Sequence, residues 1–288
     1  MFTLTVLGSG SAGNCALVQT GQCRLLVDGG LSARQIIARL GAAGIAPETL
    51  DGILITHEHG DHVGGLEVFC KKFAVPVYCN PLTADTLQRG AGTGKKEWRL
   101  FWTGSEFAIK DITVQTFPVP HDAVDPVGFV LRNGEGALGF LTDLGHATKL
   151  VYERVRGVQT LVIETNHDEK MLQEDKRRPW AVKQRIMSRH GHLSNAAAAN
   201  VVAELLGNGL ERVILGHLSR DCNSPEVALA TVRSKVSESG GRVEVYCASQ
   251  TEISSCYHIN GAGAGAGHST HPAGPGLPAG SWPKDCAA

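Results

Sequence analysis

One six-residue segment with the pattern His-x-His-x-Asp-His constrains this chain more than any other part of its sequence. It begins at His57, shortly after the apolar run Ile53-Leu54-Ile55, which predicts a buried strand. In an extended segment, side chains two residues apart point to the same side, so His57 and His59 can reach one ion together. Asp61 and His62 are predicted to open a helix and to face a second ion. The alternative is a solvated loop that happens to be rich in histidine.

Imidazole nitrogen and carboxylate oxygen are the ligands expected for zinc and similar divalent ions. Hydrolytic sites with two metals hold the ions roughly 3.5–4 Å apart. Four side chains cannot complete two such sites, so the other ligands must come from the ends of strands elsewhere in the chain. His121, Asp143 and His217 occupy such positions. Each one alone is better explained as a structural histidine or a turn-capping aspartate, but together they supply the missing ligands.

Length and composition favour one large α/β domain, because 288 residues with 42% hydrophobic content can bury a sizeable core. We predict that residues 1–258 form this domain. The glycine-, alanine- and proline-rich stretch at 259–288 cannot bury a core and is predicted to be disordered. The net charge of −1 neither predicts nor excludes a nucleic-acid partner.

Periodicity predicts sheets packed face to face with helices outside, a four-layer αβ/βα sandwich. Strands are predicted at 2–7, 15–20, 24–28, 53–55, 75–78, 112–117, 127–131, 137–141, 161–163, 213–215 and 243–246. Helices are predicted from Ser32 and at 62–72, 82–89, 147–156, 194–206 and 225–237.

The eight cysteines include no C-x-x-C pair, which argues against a zinc ribbon or a thioredoxin-type motif. The opening residues are typical of a strand rather than a secretory leader, and no apolar run is long enough to span a membrane. We therefore expect reduced cysteines, a cytoplasmic location and no membrane partner. The oligomeric state is not predicted.

The His-x-His-x-Asp-His segment, the opening Leu7-Gly8-Ser9-Gly10-Ser11 and the later single His, Asp and His resemble the metallo-β-lactamase superfamily. The resemblance covers essentially residues 1–258. It implies that His57, His59 and His121 bind one metal, that Asp61, His62 and His217 bind the other, and that Asp143 bridges both. Zinc is the expected metal, with manganese and iron as alternatives.

Four further strings resemble the YycJ/WalJ branch of that superfamily, which is associated with 5′-to-3′ exonuclease activity on DNA. They are Leu141-Thr142-Asp143-Leu144-Gly145-His146, Glu164-Thr165-Asn166-His167-Asp168, Arg189-His190-Gly191-His192-Leu193-Ser194-Asn195 and Leu215-Gly216-His217-Leu218-Ser219-Arg220. The resemblance implies a DNA substrate, although homologues are also described as small cyclic phosphodiesterases.

Two metals lower the pKa of a shared water, and the resulting bridging hydroxide could attack phosphorus. Asp61 is predicted to ligate a metal and to orient this hydroxide, and His192 to protonate a leaving alkoxide. Phosphate oxygens could be held by residues near the start of the helix at 194, where backbone N–H groups are free. These candidates are Asn166, His167, His190, His192, Ser194 and Asn195. Alternatively, Ser194 only caps the helix and the histidines only satisfy local backbone groups.

Three other features leave alternatives open. His146, Glu58 and Asp122 are candidates for orienting the ligands. Residues 170–189 contain seven basic side chains with Trp180 among them, which could follow a nucleic-acid backbone or form a solvated helix face. A thioesterase or lactonase of the same superfamily is the competing function, because the ligand set alone does not choose phosphorus over a carbonyl carbon.

Overall fold

The computed structural model describes residues 1–90 and 97–260, and two seven-stranded sheets run through them. The strands are β1 (Thr3–Gly8), β2 (Cys15–Gln19), β3 (Arg24–Val27), β4 (Gly52–Leu54), β5 (Val77–Cys79), β6 (Trp98–Leu100), β7 (Glu106–Ile109), β8 (Ile112–Pro118), β9 (Val127–Asn133), β10 (Gly136–Leu141), β11 (Thr160–Glu164), β12 (Arg212–Gly216), β13 (Glu244–Cys247) and β14 (Tyr257–His258). The strand orders are β14-β1-β2-β3-β4-β5-β6 and β13-β12-β11-β10-β9-β8-β7.

Helices lie between these strands, and most of them cover the outer faces of the sheets. They are α1 (Ala33–Ala42), α2 (Gly60–Val63), α3 (Leu66–Lys72), α4 (Pro81–Gly90), α5 (Lys149–Val155), α6 (Glu169–Glu174), α7 (Trp180–Ile186), α8 (Asn195–Leu205) and α9 (Pro225–Glu238), with a short 3-10 helix at Pro47–Thr49.

The core consists of three apolar clusters, which correspond to the three interfaces of a four-layer sandwich. The central cluster joins the two sheets and includes Leu4 of β1 and Phe129 of β9. A second cluster packs α1, α3 and α4 against the first sheet, for example through Ile36 and Phe69. The third packs α5, α8 and α9 against the second sheet. This arrangement confirms the predicted α/β sandwich.

Apart from the helix predicted at 62–72, the predicted strands and helices are present, with ends shifted by one or two residues in most cases. Sequence patterns missed the short strands β6, β7 and β14 and the short helices α6 and α7. These elements have two to seven residues. Such segments are too short for a periodic apolar pattern to stand out.

The helix predicted at 62–72 is wrong as a single element, because α2 and α3 are separated at Gly64 and Gly65. The backbone of the loop after β3 packs directly against this point, and the Gly65 N–H donates to the Gly29 carbonyl at 2.9 Å. A Cβ atom at Gly65 would lie only 1.9 Å from the Leu31 carbonyl oxygen. The two glycines therefore allow the close approach that breaks the helix.

The predicted disordered tail lies outside the described residues, apart from its first two positions. Within residues 1–90 and 97–260, no helix combines the length and apolar character needed to cross a membrane. The seven cysteines in these ranges are all free thiols.

Candidate metal centre

The site forms where the carboxyl ends of several strands meet at one edge of the sandwich. In the second sheet, β10, β11, β12 and β13 pair in parallel, and β8 runs in the same direction because it is separated from β10 by one antiparallel strand. In the first sheet, β3, β4 and β5 are parallel. The segments after these strands therefore converge, and they carry the predicted ligands.

The first cluster of imidazoles contains His57, His59 and His121, and one nitrogen from each ring lies within 4.8 Å of the others. The Nε2 atom of His121 lies 3.3 Å from Nδ1 of His59. This is the set expected for the first metal.

The second cluster contains Asp61, His62 and His217, again with donor atoms within 4.8 Å of one another. Nε2 of His217 lies 3.0 Å from the Asp61 carboxylate. Asp143 lies between the clusters, because its carboxylate is 2.9 Å from Nε2 of His62 and 3.9 Å from Nε2 of His121. The predicted bridging position is consistent with these distances.

Four of the five imidazoles are fixed by a second contact, which leaves the other ring nitrogen for the centre of the site. In each case the contact is made by Nδ1. The Nδ1 atom of His57 contacts Thr56 Oγ1 (3.0 Å), and that of His62 contacts Asp28 (2.7 Å). The Nδ1 atom of His121 contacts the Gly191 carbonyl (3.0 Å), and that of His217 contacts Glu164 (2.7 Å). Such outer contacts orient metal-binding histidines and select their tautomer.

His57 gives the most direct sign that the centre suits a metal ion. The Thr56 hydroxyl faces the Asp28 carboxylate at 3.0 Å, so it donates there and accepts from Nδ1–H of His57. Burial and the neighbouring His62 lower the pKa of His57 well below its usual value, so the ring is neutral. Its buried Nε2 has no hydrogen-bond partner among the described residues. A buried lone pair without a partner is costly, and a metal ion would satisfy it.

The electrostatics of the second cluster favour added positive charge. Burial disfavours the charged form of His62, but Asp143 and Asp28 raise its pKa to about 10. Burial likewise opposes ionisation of Asp143, yet His217 and His62 hold its pKa well below the usual range. Asp143 thus stays ionised and attracts cations. The nitrogen and oxygen donors present fit divalent metal ions.

Glu164 is central to the site, although the sequence analysis assigns it no role beyond its place in a family-like string. It is fully buried, and its Oε1 lies 2.7 Å from Nδ1 of both His192 and His217. Its Oε2 accepts from the backbone N–H groups of Leu144 and Leu193 at 3.1 Å. These contacts join the segments after β10, β11, β12 and α7. The available signal was an ionisable residue at the end of the apolar run Leu161-Val162-Ile163.

Asp28 was missed in the same way, directly after the apolar strand β3. Its backbone has a φ of 61°, and Asp143 and His217 have φ values of 53° and 54°. The left-handed region costs non-glycine residues on the order of 1 kcal/mol or more, and such strain concentrates at functional sites. Three of the four described non-glycine residues with positive φ thus belong to this centre.

A small cavity of about 230 Å³ opens onto the two clusters. Of the residues predicted to bind substrate, it brings together Asn166 and His192. Helix α7 covers one side with Val182, Arg185 and Ile186, and Arg185 pairs with Asp122, which also lines the cavity. The cavity is thus a polar recess above the metal ligands with one partly apolar wall.

The other four predicted substrate residues do not line this cavity. The Ser194 hydroxyl accepts from the Ala197 N–H at 3.2 Å and donates to Glu169, so it caps α8. The Asn195 side chain is buried against Asn223, and the backbone N–H of Asn195 donates to the His167 carbonyl. His167 is buried and His190 is exposed. The free N–H groups predicted for an anion at this helix start are therefore largely used within the fold.

The remaining candidates are mostly held by internal contacts. Glu58 accepts from the Val124 N–H, and His146 contacts Arg189. Within the basic segment, Lys183 donates to the Gln173 carbonyl. Besides the pair of Arg185 with Asp122, ion pairs in this segment join Arg177 and Arg178 to Asp175 and Asp221, and Lys170 to Glu174. Trp180 is 60% exposed.

Comparison with known proteins gives a consistent result. The model of the beta-lactamase superfamily domain matches residues 23–218. The chain is 36% identical over 237 residues to Exodeoxyribonuclease YycJ of Bacillus anthracis, covering 82% of this chain and 89% of that protein. It is 35% identical over 240 residues to Exodeoxyribonuclease WalJ of Streptococcus pneumoniae, with the same coverage.

Among solved structures, the chain is similar to the metallo-beta-lactamase fold protein YhfI from Bacillus subtilis, with a TM-score of 0.69. The two share 18% identity, and the match covers 88% of this chain and 100% of the other. At this identity the likeness concerns the fold.

Proposed function

Because the chain belongs to the metallo-β-lactamase superfamily, in the branch of the YycJ and WalJ exodeoxyribonucleases, we propose that it is a dinuclear metal-dependent phosphodiesterase that digests DNA from the 5′ end. The protein is a metal-dependent hydrolase. The two-metal mechanism, the DNA substrate and the direction of digestion are the parts that we propose.

The observation that carries the proposal is the convergence of seven side chains predicted from sequence. They come from four separate segments, and their donor atoms form three interlocking groups in which all distances are within 4.8 Å. The likeness to proteins named exodeoxyribonucleases favours phosphodiester substrates over thioesters or lactones.

We assign His57, His59 and His121 to one ion, Asp61, His62 and His217 to the other, and Asp143 to both. Bound ions of this kind supply a water with a lowered pKa and positive charge beside the non-bridging phosphate oxygens. Asp61 is partly exposed to the cavity and is suited to orient the attacking nucleophile. Zinc is the expected metal for these ligands, with manganese and iron as alternatives.

His192 is assigned as the proton donor to the leaving oxygen. Burial opposes its charged form, but the Glu164 carboxylate at 2.7 Å raises the pKa of His192 above its ordinary value. The ring can therefore hold a proton near neutral pH, and the contact of Nδ1 with Glu164 leaves Nε2 for the substrate. The Asn166 amide lines the same cavity, where it can hold a phosphate oxygen.

The test is to incubate metal-loaded protein with 5′-labelled single-stranded and duplex DNA, bis-p-nitrophenyl phosphate and a simple thioester. We expect release of labelled mononucleotide from DNA, and loss of this activity with EDTA. Cleavage of the small diester alone would replace the exonuclease proposal by a small-molecule phosphodiesterase. Cleavage of the thioester alone would reject phosphorus chemistry. A cytoplasmic location agrees with the free thiols and is proposed with the function.

A further inference from the structure

A second cavity of about 510 Å³ adjoins the metal cavity. Ser11, Arg178 and Ser219 line both cavities, so the two share a boundary. The volume of the second cavity is within the range of about 300–1,000 Å³ that is usual for ligand sites. A substrate longer than one nucleotide unit would have to extend out of the smaller metal cavity, and this neighbouring space is available to it.

The walls of the second cavity are held in place by hydrogen bonds. The Gln250 side chain accepts from the Ala12 N–H and donates to the Gly13 carbonyl, both at 2.9 Å. The Arg39 guanidinium donates to the carbonyls of Gln250 and Thr251 from behind. The cavity is therefore formed before any ligand arrives, which lowers the entropic cost of binding.

The charge of this cavity is not balanced within the protein. Arg177 and Arg178 are both paired with Asp175 and Asp221, so these four charges offset one another. Arg220 also lines the cavity, is exposed, and has neither a hydrogen bond nor an ion pair with any residue in the described ranges 1–90 and 97–260. It follows the metal ligand His217 by three positions. Its guanidinium is thus an uncompensated cation beside the metal centre.

We propose that the second cavity binds the nucleotide next to the scissile phosphodiester, and that Arg220 pairs with the neighbouring phosphate. A guanidinium matches the geometry of a phosphate with two parallel hydrogen bonds. Leu218 and Pro225 in the lining provide apolar surface for the sugar or the base. This inference rests on the proposed action on nucleic acid, and it explains how the site would prefer a polynucleotide to a small diester.

The test compares Arg220→Ala with Arg242→Ala in the metal-loaded protein. Arg242 is a matched control, because it is exposed and has no partner among the described residues. It precedes β13, at the end of the parallel strands opposite to the metal centre. We expect Arg220→Ala to lower kcat/KM for a single-stranded oligonucleotide about tenfold, and to lower the ratio of this value to that for bis-p-nitrophenyl phosphate. Arg242→Ala should change neither.

A second arm uses oligonucleotides in which one of the two phosphates beside the scissile one is a neutral methylphosphonate. For wild-type protein, one of these substrates should have a kcat/KM about tenfold lower than the unmodified oligonucleotide. For Arg220→Ala, the same modification should lower kcat/KM no further. The second cavity would be rejected as a subsite if the variant and the modified phosphate lowered kcat/KM additively with both substrates. It would also be rejected if Arg220→Ala equalled wild type on the unmodified oligonucleotide. Cleavage of DNA would still stand in both cases. If wild-type protein cleaves no nucleic acid, the proposed function itself fails, and the subsite fails with it.

Discussion

The metal centre combines two regions that are built in different ways. One is a single segment, His57 to His62, in which four of the proposed ligands lie within six positions after one strand. The other is a dispersed support from three separate segments: Asp28 and Glu164 hold the rings of proposed ligands from outside, and Glu164 also holds His192, which lines the cavity. The first region follows from local spacing, whereas the second exists only because parallel strands bring their ends to one edge.

The comparison indicates that the two regions have different roles, which experiments can distinguish. Loss of a residue in the ligand segment should remove a metal. Loss of a residue in the support should leave the metals in place but lower turnover, or should weaken metal binding without abolishing it. The expected effects therefore decrease from the segment to the support and then to the residues beyond it.

The largest effect is expected for His59→Ala. His59 belongs to the first cluster and lies 3.3 Å from His121, so its loss leaves only two of the three imidazoles for that ion. We expect hydrolysis of DNA and of bis-p-nitrophenyl phosphate to fall below detection. The circular dichroism spectrum should stay unchanged, because the half-buried ring packs mainly against other ligands.

The control for this variant is His258→Ala, which removes an exposed histidine at β14, away from the cluster. It should keep wild-type activity and metal content. Retained hydrolysis of any phosphodiester by His59→Ala, at the wild-type rate, would remove the central role of the ligand segment.

The next effect is expected for His192→Ala, which tests the support directly. Removal of a general acid typically costs about 10²-fold in rate or more. We expect kcat on DNA to fall by about that factor, with the metal content by elemental analysis unchanged. Loss of both metals in this variant would make His192 a structural residue of the centre, and the distinction between ligand and support would fail at this position.

Sequence alone predicted the candidate ligands more readily than the support, for a physical reason. His57, His59, Asp61 and His62 are close in the chain, so spacing places them without knowledge of the fold. Glu164 becomes recognisable only when β11 pairs with β12, because its partner His217 is 53 residues away in the chain. At Ser194 the sequence pattern could not distinguish two roles, since a helix cap and an anion site need the same residue type at the same position.

Glu164→Gln should give a smaller effect on the metals. The amide oxygen could keep the contacts of Oε1 with His192 and His217, but the NH2 group would then face the backbone N–H donors of Leu144 and Leu193, and the negative charge would be lost. Changes of this outer kind cost about 10–100-fold in metal affinity. We expect about tenfold weaker binding of the second ion in a competition titration, and unfolding at lower urea concentration. Glu252→Gln, at an exposed position, is the control. Unchanged metal affinity would show that Glu164 serves only the fold.

The smallest effect is expected for Ser194→Ala, which distinguishes the support from the residues beyond it. The hydroxyl accepts from the Ala197 N–H and donates to Glu169, and the residue does not line the metal cavity. Loss of such a cap costs about 1 kcal/mol of the free energy of unfolding. Thr148→Ala is a matched control, because Thr148 caps α5 in the same way through the Val151 N–H. Both variants should lose similar stability in urea denaturation and keep kcat/KM for DNA within about twofold of wild type. A tenfold loss of kcat/KM in Ser194→Ala alone would return Ser194 to the substrate site, and the boundary of the support would then include the start of α8.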